Sequence, residues 1–150
     1  MKYTSTNQLE QFSFQDAVIA EVRLQHTTFT LDLDNITILS NNTHNRDIHD
    51  MRANNAILTF TEATINKIVA EGYRVYDANN ELTESVDDQV IDPKDFSSFF
   101  PQLANTTIYS IEQTDNKHCV INIDAEYQTY LIEVSYDTSL VEWDRFLTKE

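Results

Sequence analysis

The sequence predicts a mostly β fold: an antiparallel sandwich or barrel of about eight or nine short strands, with two short helices near residues 93–100 and 140–147. Three observations predict it. Apolar residues recur at period two along most of the 150 residues, the spacing of strands that set one face on a core. The runs are short and polar clusters separate them. Glycine occurs once and proline twice, so turns fall to Asn and Asp, which enter φ > 0 more readily than other non-glycine residues.

Taken in order, Val18, Ala20, Val22 and Leu24 alternate with Ile19, Glu21, Arg23 and Gln25. After a break at His26-Thr27, Phe29, Leu31 and Leu33 alternate with Thr30, Asp32 and Asp34. Together they predict a β-hairpin. Ile36-Thr37-Ile38 extends the pattern past an expected bulge at Asp34-Asn35. Residues 40–55 interrupt it with a polar loop, and loops of that length are often functional. Ala56, Leu58 and Phe60 resume the alternation, followed by strands at 65–70 and 73–76. Asp77-Ala78-Asn79-Asn80 reads as a turn. Residues 81–92 read as an acidic connection anchored by Leu82, Val86, Val90 and Ile91.

Asp92-Pro93-Lys94-Asp95 has the marks of a helix start: an N-cap, proline at the first helical position and an acid in the first turn. Phe96, Phe99, Phe100 and Leu103 keep helical spacing, but Pro101 biases Phe100 away from the α region and shortens the helix. Three more strands are expected at 108–111, 118–123 and 128–136, the first two joined by a turn at Thr114-Asp115-Asn116-Lys117. On the last, Tyr130, Ile132, Val134 and Tyr136 share a face. Ser139-Leu140-Val141-Glu142 has capping-box spacing, which predicts a final helix with Leu140, Trp143 and Leu147 on one stripe. The length and the continuous apolar pattern predict one domain, residues 1–150.

The net charge is −15. That excludes ordinary nucleic-acid binding, which needs Lys and Arg on phosphates, and docking on an anionic membrane. Residues 1–75 hold six Lys/Arg against nine Asp/Glu, and residues 76–150 hold four against sixteen. The second half is therefore net −12, suited to solubility and to attracting a cationic partner. One cysteine, Cys119, and no apolar leader run predict a cytoplasmic protein without disulfides.

Few residues suggest chemistry. His44 and His49 with Asp47 and Asp50 are the nearest approach to a zinc set, but a gap of five does not place two His on one helix face. His118-Cys119 invites a thiol mechanism, yet neighbours on a strand point to opposite faces. Cys119 instead shares a face with Ile121 and Ile123, as a buried thiol would. Asp32/Asp34, Asp87/Asp88 and Asp124/Glu126 are the closest carboxylate pairs, with nothing to split their pKa values. With Gly72 as the lone glycine there is no phosphate-binding loop. No cofactor or metal is expected. The acidic segment Glu81, Glu84, Asp87, Asp88, Asp92 and Asp95, opposed by Lys94, is the expected docking surface, because charge and apolar groups coexist there.

Phe14-Gln15-Asp16-Ala17-Val18-Ile19, Phe29-Thr30-Leu31-Asp32-Leu33-Asp34-Asn35, Ala56-Ile57-Leu58-Thr59-Phe60 and Glu71-Gly72-Tyr73-Arg74-Val75-Tyr76-Asp77 occur in this order. The order resembles small uncharacterised proteins of Gram-positive bacteria, some of which carry the name subtilin biosynthesis sensor protein. The likeness covers the first half of the chain and implies neither an activity nor site residues. The chain has no membrane spans or ATP-site glycines for a sensor kinase.

Three functions follow as expectations. The first is a non-enzymatic acidic protein-interaction domain, such as an inhibitor or immunity-type protein facing a basic protein. The second is a β-barrel or sandwich that binds a small ligand in an apolar cavity. The third is a metal-dependent hydrolase built on the 40–55 loop.

Overall fold

The computed structural model describes residues 1–148. Strands account for 55% and helices for 9%, so the mostly β expectation holds. Along the chain run β1 (Tyr3–Thr6), β2 (Phe12–Ser13), β3 (Val18–Gln25), β4 (Thr28–Asp34), β5 (Ile36–Ile38), β6 (Met51–Ala53), β7 (Ala56–Thr61) and β8 (Thr64–Ala70). Then come β9 (Tyr73–Tyr76), β10 (Leu82–Val86), β11 (Gln89–Val90), α1 (Phe96–Phe99), β12 (Thr107–Asp115), β13 (His118–Asp124), β14 (Thr129–Ser135), β15 (Thr138–Trp143) and β16 (Leu147–Thr148). The strand number exceeds the eight or nine expected for two reasons: β1, β2, β6, β11 and β16, of two to four residues, carry too few side chains to show a period, and β10 and β15 occupy stretches expected as a connection and a helix.

Ten strands hydrogen-bond in the order β1-β15-β7-β4-β3-β12-β13-β14-β8-β11. A second sheet runs β16-β6-β5-β2, and β9 with β10 forms a separate ribbon. All pairings are antiparallel. The large sheet is not a closed barrel, and its layout fits a sandwich. Its narrowest joint is β3–β12, paired at Thr107↔Val18 alone. The helical segment packs against both sides of that joint. Phe100 meets Phe29 of β4 at 5.8 Å, and Phe99 meets Tyr130 of β14 edge-on at 5.0 Å.

Period two selects the core. Phe29, Leu31 and Leu33 are buried, as are Ala56, Leu58 and Phe60, and Cys119, Ile121 and Ile123. Each large apolar side chain so placed contributes roughly 1.5–3 kcal/mol relative to exposure. The turns carry the residues expected of them: positive φ occurs at Asn7, Asn35, Asn55, Asn80 and Asn105, and otherwise at Asp16, His26 and Glu62. Asn35, with φ of 61°, lets the chain leave the large sheet at β4 and enter the small one at β5.

Four expectations need correction. Residues 140–147 are not a helix. Ser139, Val141 and Trp143 are buried in β15 at period two, between β7 and β1. The amide of Ser139, expected to start the helix, donates to Asn7 Oδ1 at 2.9 Å. Two open strand edges outweigh a local capping signal. In β3 the buried face changes partway, with Ile19 and Val22 inside rather than Val18 and Ala20. A bulge between Ile19 and Glu21 inserts the extra residue. The helix is short, as expected, ending at Phe99, but Phe100 keeps α dihedrals despite Pro101 and leads into a 3-10 turn through Leu103. Finally, Leu82, Val86 and Val90 do not anchor the acidic segment. They are 53%, 36% and 69% exposed, on strands rather than a connection.

Candidate docking surface

β8 and β11 pair at the edge of the large sheet, and the same two chain segments continue outward as β9 and β10. They form a two-stranded arm with register Tyr73↔Val86, Arg74↔Ser85, Val75↔Glu84 and Tyr76↔Leu82. The turn at its tip closes through Asp77, whose Oδ1 accepts from the amides of Asn79 at 2.8 Å and Glu81 at 3.0 Å. Asn80 supplies the left-handed residue, with φ of 60°. Residues opposite one another share a face. One face therefore holds Tyr73, Val75, Glu84 and Val86, and the other Arg74, Tyr76, Leu82 and Ser85.

The arm's base explains the single glycine. A Cβ on Gly72 would lie 2.0 Å from the Val86 carbonyl oxygen and 2.6 Å from the Asp87 carbonyl carbon, so only glycine lets the two segments cross there. The Gly72 amide donates to Asp88 Oδ1 at 2.6 Å and fixes the crossing. Farther out, Tyr73 OH donates to Glu84 Oε1 at 2.9 Å, and this bond raises the Tyr73 pKa. Thr83 Oγ1 donates to the Val75 carbonyl at 3.0 Å. Each residue from Tyr73 to Val90 is exposed. An open cleft of about 720 Å³ runs beside the base, lined by Gly72, Tyr73, Arg74, Tyr76, Val86, Asp87 and Asp88.

The six expected carboxylates divide by position. Glu81 and Glu84 lie on the arm, Asp87 and Asp88 at its base, and Asp92 and Asp95 at the helical segment that follows. Two have structural duties: Asp88 holds Gly72, and Asp92 caps the helical segment by accepting from the Lys94 amide at 3.0 Å. The acidic character of this stretch was legible in the sequence. Its projection from the body was not, because long-range pairing decides which strands find a second neighbour.

The other candidate chemistries separate. The expected 40–55 loop ends earlier, at β6, which pairs with β5; in the loop before it, His44 Nε2 bonds the Thr4 carbonyl at 2.9 Å, and His49 Nδ1 bonds Asp47 Oδ1 at 3.0 Å. Asp50 Oδ1 accepts from the Ser40 amide at 2.8 Å. The Asp47 pKa is lowered, chiefly by the hydrogen bond from the His49 amide. The loop's polar groups thus brace its own turns and, through His44, tie it to β1, and among the described residues no group of three or more His, Cys, Asp and Glu could hold a metal. Cys119 is fully buried, and burial pushes its thiol up to about 12, far from the thiolate a nucleophile needs.

His118 has partners that its neighbour in sequence did not suggest. Nε2 faces Glu133 Oε1 at 3.0 Å, and the Thr114 hydroxyl contacts Nδ1. Glu133 Oε2 also meets Lys67 Nζ at 3.6 Å. Hydroxyl, imidazole and carboxylate follow the order of a nucleophilic relay. Acyl transfer also demands donors aimed at a developing oxyanion. Thr114 instead spends a second contact on the His118 carbonyl, at 3.3 Å. The row takes one residue from each of β12, β13, β14 and β8 and stitches four neighbouring strands together. The cross-strand register that unites it cannot be read from spacing in one strand.

A second cleft, of about 460 Å³, lies between the loop and the small sheet, lined by Tyr3, Thr43, His44, Asn45, Arg46, Asp47, Met51 and Phe146. The Tyr3, His44 and Phe146 rings each pack on buried Trp143, at 5.6, 5.9 and 5.7 Å. The space inside the large sheet, by contrast, is filled by Phe29, Phe60, Phe100 and their neighbours.

No protein-family model matches the chain, and neither does any curated protein or solved structure. Among the described residues, no helix is long and apolar enough to cross a membrane.

Proposed function

We propose that the chain is a non-enzymatic, acidic protein-interaction domain of the cytoplasm that docks on a basic protein through the arm, as an inhibitor or immunity-type protein would. One observation carries this reading. The arm holds Tyr73, Val75, Tyr76, Leu82 and Val86 at 36–56% exposure, on a ribbon that touches neither large nor small sheet through strand pairing. An isolated two-stranded hairpin is marginal in water, and grouped exposed apolar residues mark contact surfaces. Tyrosine supplies large contact area with little rotamer entropy to lose. The surrounding acids give the surface its sign: Glu71, Asp77, Glu81, Glu84, Asp87 and Asp88 stand against Arg74 between residues 71 and 88. Opposite charge on the partner speeds encounter and suppresses wrong partners. The same sign disfavours nucleic acid and anionic membranes.

The test is capture from the native host followed by association kinetics at two ionic strengths. Glu81→Gln, Glu84→Gln and Asp87→Asn, combined, should slow association roughly tenfold and flatten its salt dependence. Asp88 is left intact because it holds the base. A partner whose on-rate ignores both salt and the triple variant would end this reading.

The aromatic cleft over Trp143 favours a second reading, a small planar ligand held by Tyr3, His44 and Phe146 with Arg46 at the rim. Saturable quenching of Trp143 emission by an aromatic carboxylate, lost in Phe146→Ala, would support it. Emission indifferent to such a ligand would remove it.

A further inference from the structure

The two outer edges of the arm differ. β10 is bulged between Leu82 and Glu84 and runs into Asp87 and Asp88. Bulges and charge are the devices by which proteins keep strand edges from pairing. β9 is unbroken Tyr73-Arg74-Val75-Tyr76, and among the described residues no strand pairs with its other edge. This edge leads down to a ledge of its own. Gln128 Nε2 donates to the Glu71 carbonyl at 2.6 Å, which brings the β13–β14 turn with Tyr127, 89% exposed, to the root of β9. Glu71 also borders an open cleft of about 520 Å³ with Tyr109, Glu112, Asn122, Asp124 and Thr129. Three carboxylates and no cation line that cleft. They do not converge as a metal set, so they suit an elongated cation, a lysine or arginine side chain.

We infer that the free edge of β9 receives an extended, Lys/Arg-bearing segment of the partner as a third strand, which then runs past Tyr127 and sets a cationic side chain among Glu71, Glu112 and Asp124. The inference rests on the docking reading and adds how the partner is held. Backbone pairing gives the affinity in strand addition, and alternate side chains give the choice of partner. A second copy of this chain is the wrong occupant, since its own β9 would bring an equally acidic arm against this one. An added strand also supplies the arm's missing neighbour, because three strands persist where two are marginal.

The probe is a short, end-capped peptide of alternating Lys and Val, with two analogues N-methylated on one or the other alternate set of amides. The parent peptide should bind in a salt-dependent way and slow amide exchange within residues 73–76. Methylation on the set facing the arm should weaken it about tenfold or more, the loss expected for a few backbone hydrogen bonds, and methylation on the outer set much less. The triple variant Glu71→Gln, Glu112→Gln and Asp124→Asn should weaken the parent peptide while the β9 protection pattern persists. Equal binding by both methylated analogues, or binding without protection at 73–76, overturns strand addition and leaves charge-steered docking standing. Absence of peptide binding in a protein that still associates with its captured partner also overturns it, as does a concentration-dependent dimer protected at β9. A partner indifferent to salt and to the arm charges brings down the docking reading itself.

Discussion

Trp143 is the largest fully buried side chain, stacked on Tyr3 and met edge-on by Phe12 at 5.5 Å and by Phe146. Trp143→Ala should cost roughly 3–5 kcal/mol, the usual penalty for emptying an aromatic core site. Urea denaturation measures it, and readily quenched, red-shifted native emission would contradict the burial. Cys119 and Tyr136 predict an alkaline limit. Burial pushes both groups up to about 12, and for Tyr136 the neighbouring Cys119 adds to the effect. Each stays neutral in the fold, whereas the unfolded chain gives up the thiol proton above about pH 8.5 and the phenol proton above about pH 10. Stability from these groups is thus fully present below those values and is lost as pH rises towards 12, by up to about 1.4 kcal/mol per pH unit for each group. Cys119→Ala should lower stability at neutral pH through lost packing, yet flatten the decline that begins near pH 9. A denaturation series across pH 7–11 with the same slope in both proteins would show that Cys119 is not the source.

Elements were legible where one face is buried and the alternation is unbroken. Phe29-Leu31-Leu33, Ala56-Leu58-Phe60 and Tyr130-Ile132-Val134 each place apolar residues at every second position, and each is a strand with that face inside, Tyr130 half-buried at its end. The reading failed where two periods fit the same residues. Leu140, Trp143 and Leu147 satisfy a helical stripe, while Ser139, Val141 and Trp143 satisfy a strand. Only the vacant edges of β7 and β1 decide between them, and those edges are remote in sequence. The arm was half legible: its turn at Asp77–Asn80 and its acids are local features, but its lack of a neighbour is a property of the whole sheet. Gly72 is where the arm can be tested as an element. Gly72→Ala places a methyl group against the Val86 carbonyl, so the crossing must open. Amide exchange should quicken in residues 73–76 and 82–86, while the body, whose core lies elsewhere, melts within a few degrees of the parent. Unchanged exchange on the arm would mean that the base does not hold it.

At the scale of the molecule, charge acts in two opposed ways. Within the chain, the −15 excess is self-repulsion, which weakens the compact state. Ion pairs relieve it locally. Arg23 sits between Glu21 at 3.1 Å and Asp32 at 2.5 Å, and its pKa is raised chiefly by the hydrogen bond to Asp32. Lys67 reaches Glu133 and Lys117 reaches Asp137. Ten Lys/Arg cannot match twenty-five Asp/Glu, so most acids face water with no partner cation. Between this chain and a basic protein, however, the same charge is attraction. Salt screens both, with a Debye length that falls from about 30 Å at 0.01 M to about 3 Å at 1 M. The two observables must therefore move in opposite directions as sodium chloride is added. The melting temperature should rise because repulsion is screened, while the association rate with the basic partner should fall. Neutralising Glu81, Glu84 and Asp87 separates the effects by location. The arm projects from the core, so the triple variant should shift the melting temperature only slightly, and upward, while it removes much of the salt dependence of association. Thermal melts and association kinetics on the same two proteins across one salt series decide the matter. A melting temperature that falls with salt would show that the ion pairs at Arg23, Lys67 and Lys117 outweigh the general repulsion. An arm variant that melts several degrees lower would show that Glu84, through Tyr73, holds the ribbon together rather than steering a partner to it.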